Sequence, residues 1–119
     1  MSSHKLHNYL RAHRKRAGLT QREVAFLLGL KARGPVSEIE KRHRVPLLRT
    51  ALALEAIFGI SAGELFAGMR EGIASEISER VDQLASELAP KVGRKSRDEY
   101  RTARKLAWIR ERRAVTALP

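Results

Sequence analysis

The sequence predicts an all-α protein, a five-helix domain followed by two longer helices, and three observations predict it. Apolar residues recur at helical spacing almost throughout the 119 residues, and no strand-like alternation of useful length interrupts them. Start and stop signals bracket short segments: Thr20, Pro35 and Ser61 open them, and Gly18, Gly29 and Gly59 close them. Charge falls into blocks, with 12 Lys/Arg against 5 Asp/Glu over residues 1–66, one against five over 71–89, and ten against three over 91–119. That layout divides the chain into a domain at 1–69 and an extension at 70–119.

The first helix is expected from about Lys5 to Ala17, with Leu6, Leu10 and Ala17 inward and Gly18 ending it. A second opens at Thr20, which can cap the N–H of Glu23 while Glu23 reaches back to Thr20 and Leu19 staples onto Val24. Leu27 and Leu28 continue its apolar face, and Gly29 suits an end that needs positive φ. Pro35, suited to a first helical turn, opens a third helix over 35–41, where Val36 and Ile39 lie one turn apart. Pro46 bars extension past Arg42-His43-Arg44-Val45. A fourth helix follows over 47–58, with Leu48, Leu52, Ile57 and Phe58 as core candidates, and a fifth over 61–66 under a Ser61–Glu64 capping box.

Gly68 and Gly72 loosen the chain before an acidic helix over 71–89, whose Ile73, Ile77, Val81, Leu84 and Leu88 step by four, four, three and four. This is a heptad-like seam. The stretch 90–95 breaks it, and Ser96 with Glu99 offers a further capping box for a basic helix to about Ala114. Tyr100, Ala103, Leu106 and Ala107, with Trp108 or Ile109, form that helix's apolar stripe.

Composition narrows the function. A formal net charge of +11 points to a polyanionic partner. The chain has no cysteine, which removes disulfides, thiolate metal sites and thiol nucleophiles. His4, His7, His13 and His43 have no converging carboxylates, so no metal is expected. Ser37 has no histidine base within reach, and no glycine-rich phosphate loop occurs. No enzyme and no cofactor are expected. Neither a membrane span nor a secretory leader is legible, so the expected location is the cytoplasm. Two short helices joined by a tight turn, with a basic loop directly after them, form the unit that places a helix in the DNA major groove.

Gly18-Leu19-Thr20-Gln21, Val24-Ala25, Leu27-Leu28-Gly29 and Val36-Ser37-Glu38-Ile39-Glu40-Lys41 follow one another in register with Pro46, Thr50, Leu52, Leu54, Phe58-Gly59-Ile60-Ser61 and Glu64-Leu65-Phe66. Over about 6–66 this resembles the XRE family of helix-turn-helix regulators, which includes the phage repressor and Cro proteins. The resemblance implies a five-helix domain whose third helix reads double-stranded DNA. It implies phosphate contacts from Thr20 and Gln21 at the start of the second helix, from Lys31 and Lys41, and from the loop residues Arg42, His43 and Arg44. Arg14 and Glu40 match a structural ion pair, and Arg33, Gly34, Ser37 and Glu38 fall where base edges are met.

Several residues depart from the pattern. One extra residue lies between Gly29 and Val36, Gly34 and Pro35 replace side chains that usually read bases, and Phe26 stands where a polar residue is usual. Glu55 replaces a small apolar residue, and an arginine partner is expected for it. Arg33 can donate two bonds to guanine or hold a phosphate, and Glu38 can accept from cytosine, repel phosphate or orient Arg42. Lys5, Arg11, Lys15 and Arg16 read as a solvated face. The extension is not covered by the resemblance. Its seam, Ile73, Ile77, Val81, Leu84 and Leu88, is expected either to pair with a second copy, giving a homodimer on an inverted-repeat operator, or to pack back over Phe26. The basic helix folds as a hairpin on the acidic one, meets phosphates or takes an acidic partner. The leading expectation is a dimeric bacterial or phage repressor. The alternative is an antitoxin-type or other interaction module whose extension binds a partner protein.

Overall fold

The structure, a computed structural model, describes residues 7–91 and 97–116. The chain divides into two compact units at Ile73. The first holds α1 (Leu10–Arg16), α2 (Gln21–Leu27), α3 (Gly34–Glu40), α4 (Leu48–Phe58), α5 (Ala62–Leu65) and the opening turns of α6 (Ala67–Leu88). The second holds the rest of α6, a 3₁₀ turn at Ala89–Lys91 and α7 (Arg97–Thr116). Among the described residues there is no strand, and no helix is long and apolar enough to cross a membrane.

Three consecutive helices end in the same way. At the end of α1, Gly18 (φ 75°) donates to Lys15 O and Leu19 to Arg14 O. At the end of α2, Gly29 (φ 78°) donates to Phe26 O and Leu30 to Ala25 O. At the end of α3, Arg42 (φ 67°) donates to Ile39 O and His43 to Glu38 O. Each is a Schellman closure with its left-handed residue one past the cap. Arg42 is the one non-glycine with positive φ among the described residues.

The core of the first unit is Leu10, Val24, Ala25, Val36, Ile39, Leu54, Leu65 and Phe66. Several expectations shift here. The first helix starts at Leu10, not Lys5, because residues 7–9 serve other partners. Asn8 Oδ1 accepts from Leu10 N, and Asn8 Nδ2 donates to Ile39 O at 3.1 Å. Tyr9 N donates to Leu65 O, and His7 O accepts from Gly68 N. Lys5, Leu6 and His4 lie outside the described residues. Ala17 and Leu27 are exposed rather than inward, as is Phe26. On α4 the buried face runs through Ala51, Leu54 and Phe58, which turns Leu48 and Leu52 to solvent. Glu55 takes no arginine in the bonds seen; its Oε2 accepts from Ala62 N at 2.8 Å and helps start α5, alongside Ser61 Oγ on Glu64 N.

In the second unit Val81, Ala85 and Leu88 of α6 pack with Leu106 and Ile109 of α7. Asp82 meets Arg113 at 2.6 Å. Asp82 lies early along the α6 contact and Arg113 late along the α7 contact, so the helices run antiparallel as a hairpin. The acidic helix starts at Ala67 and passes through Gly68 and Gly72 without a break. The buried stripe of α7 is Thr102, Leu106 and Ile109, whereas Tyr100, Ala103 and Trp108 face solvent. Ser96, the expected cap of α7, lies outside the described residues.

Candidate nucleic-acid interface

The interface is built on one buried polar network. Arg14 on α1 donates Nε to Glu40 Oε2 at 2.6 Å and Nη2 to Oε1 at 3.0 Å, a two-pronged pairing, while Nη1 holds Leu19 O at 3.0 Å. Gln21 Nε2 donates to the same Glu40 Oε1 at 3.0 Å. One carboxylate on α3 therefore ties α1 to the first residue of α2, and Arg14 itself adds the turn before α2. Burial by itself would raise the Glu40 pKa; hydrogen bonds from Arg14 and Gln21, with the Arg14 and Arg11 charges, outweigh it and hold the carboxyl below its ordinary value. The hydrogen bond to Glu40 likewise holds the Arg14 guanidinium above its ordinary pKa. With side-chain exposures of 11% and 4%, this pair fixes the angle at which α3 is presented.

Around the start of α2, Thr20 Oγ1 accepts from Glu23 N at 3.0 Å and Glu23 Oε1 accepts from Thr20 N at 2.8 Å, the expected reciprocal cap. Thr20, Gln21 and Arg22 line an open groove of about 490 Å³ with Leu19, Arg14 and Arg33. Its chemistry suits an anion: two exposed guanidiniums, Arg22 and Arg33, beside the N–H groups of a helix start. Arg33, at the N-cap of α3, makes no side-chain cap bond there. Gln21 is committed to Glu40 through one amide hydrogen, and the other can serve an acceptor in the groove. Arg22 was missed at the sequence level. Its position two residues past the cap, on the outer side of α2, was the signal that could have found it.

Along α3, Gly34 is exposed, Val36 and Ile39 are fully inward, and Ser37 and Glu38 are half-buried beside them. Glu38 Oε2 lies 3.2 Å from His43 Nδ1, so the residue it steadies is His43, not Arg42. That contact bridges the two ends of the Schellman closure, where an apolar pair usually sits. Lys31, Lys41, His43 and Arg44 are exposed and Arg42 is half-buried. Of the proposed seam, Val81 and Leu88 are taken up inside the hairpin, and Ile73, Ile77 and Leu84 stay exposed. Among the described residues no three His, Asp or Glu side chains converge as a metal ion would require.

Residues 10–65, from the start of α1 to the end of α5, match the helix-turn-helix family. This segment is a helix-turn-helix domain of the XRE type, a DNA-binding regulatory module and not an enzyme family. No curated protein and no solved structure matches the chain.

Proposed function

We propose that the protein is a sequence-specific transcriptional regulator that binds an inverted-repeat operator as a dimer and represses by occluding it. The observation that supports this reading best is the Arg14–Glu40–Gln21 network, which locks α3 against the anion-suited groove at the start of α2. A phosphate seated in that groove, held by Thr20, Gln21, Arg22 and Arg33, sets the depth of α3 in the major groove. Ser37, Glu38 and the Gly34 backbone then face base edges, with Lys31, Lys41, Arg42, His43 and Arg44 on the flanking phosphates. Arg33 sits in the groove, which weights it toward phosphate rather than guanine.

Selection of bound duplexes from a random pool tests the reading. A preferred site with two-fold symmetry is the expected result; equal affinity for the winner and a scrambled control would overturn it. Arg33→Ala should weaken all sequences alike and reduce the salt slope by about one unit if it holds a phosphate, whereas relaxed preference at one base pair would return it to base reading.

A further inference from the structure

The α6–α7 hairpin leaves one of its broad faces unfinished. At 3.6 residues per turn, Ile77 and Leu84 form a stripe to one side of the Val81–Ala85–Leu88 contact, and Trp108 and Val115, also seven residues apart, form a stripe beside Ile109. Because the helices are antiparallel, the two stripes come to the same side of the hairpin. All four residues are exposed, Trp108 at 52% and Val115 at 67%. Scattered single apolar residues on a surface need no explanation, but four of them on one face of a two-helix unit do.

The charges say what fits there. By the same spacing, the α6 charges on the Ile77–Leu84 side are Glu76 and Glu87 with Arg80, whereas those on the Trp108–Val115 side of α7 are Arg101, Arg104, Lys105 and Arg112. A uniformly anionic surface, such as a DNA backbone, would meet the basic strip and be repelled by the acidic one. The complement required is a surface with an apolar middle and the same two strips in reversed order. A second copy, turned by a two-fold axis running along the helices, presents that surface, since α6 of one protomer lies over α7 of the other.

We propose that this face is a homodimer interface, closing two hairpins into a four-helix bundle around Ile77, Leu84, Trp108 and Val115. The inference deepens the regulator reading, because a two-fold bundle is what an inverted repeat calls for, but it is tested without DNA. Trp108, the single tryptophan, reports on it directly.

For the full chain, sedimentation equilibrium between about 1 and 100 μM is expected to show a monomer–dimer equilibrium, a range in which an interface of ordinary quality is populated. Trp108 emission should shift to the blue along the same curve. Leu84→Glu and Val115→Glu, both at exposed sites, should keep the helical circular dichroism while weakening the dimer by about tenfold or more. The double reversal Arg101→Glu with Lys105→Glu should weaken it as well, and added salt should weaken the native dimer. A chain that stays monomeric at the top of the range overturns the proposal. So does a dimer in which Trp108 emission and the Leu84→Glu affinity are unchanged, since that dimer uses another surface. Failure of the operator selection with a dimer still present would count against the regulator reading alone.

Discussion

Arg42 holds a conformation that the two preceding helix ends give to glycine. A left-handed non-glycine residue costs about 1 kcal/mol, and such outliers persist where surrounding structure or function requires them. Arg42→Gly should therefore raise the melting temperature by a few degrees, consistent with about 1 kcal/mol in a small domain, while DNA affinity falls and the salt slope becomes shallower by about one unit. Thermal unfolding and salt-dependent titration of the selected duplex check both halves. Glu40 makes the opposite trade. Glu40→Gln leaves the Arg14 guanidinium buried without its counter-charge and should cost about 3 kcal/mol by chemical denaturation. Because the Glu40 pKa is lowered on folding, its contribution is present above the ordinary carboxylate value and is lost as pH falls through the folded one. The native protein should lose stability on acidification below the ordinary carboxylate range, and the variant should show a flatter acid limb.

Element boundaries were legible wherever a residue's local chemistry decided them. The Thr20–Glu23 box and the Gly18, Gly29 and Gly59 ends appear as expected, the Ser61–Glu64 pair forms the Ser61 half of its expected box, and Thr20→Ala should cost about 1 kcal/mol in the same denaturation assay. What the sequence concealed depended on distant partners. The start of α1 at Leu10 reflects bonds from residues 7–9 to Leu65, Gly68 and Ile39, none of which is near in sequence. On α4, Leu48, Leu52 and Leu54 are equally apolar, and only the packing of the other helices decides which turns inward. Leu54→Ala should cost about 3 kcal/mol, while Leu48→Gln should stay within about 0.5 kcal/mol, a contrast that parallel urea melts would reveal. On α7 the expected Leu106 and Ile109 do lie in the buried stripe, whereas Thr102 is buried and the expected Tyr100 and Ala103 are exposed.

For the whole molecule, opposite charge on α6 and α7 anticipated the hairpin in which Val81, Ala85 and Leu88 meet Leu106 and Ile109. The grouping of the candidate site was not legible in the sequence. The family resemblance names Thr20, Gln21 and Arg33 one by one, and only the fold joins them with Arg22 in one groove and turns Gln21 toward Glu40. Glu38 likewise pairs with His43 because the left-handed Arg42 folds the chain back by one residue more than a straight helix allows.

The backbone bonds from Tyr9 to Leu65 and from Gly68 to His7 carry a consequence for biosynthesis. Their partners are separated by 56 and 61 residues, so at cellular elongation rates the second half of each bond is made about 3–12 s after the first. Helices form in microseconds and can come and go many times in that interval. Closure of this clasp is thus the step that registers a completed domain on the ribosome. The Tyr9 amide, outside any helix, becomes protected from hydrogen exchange only when the clasp has shut.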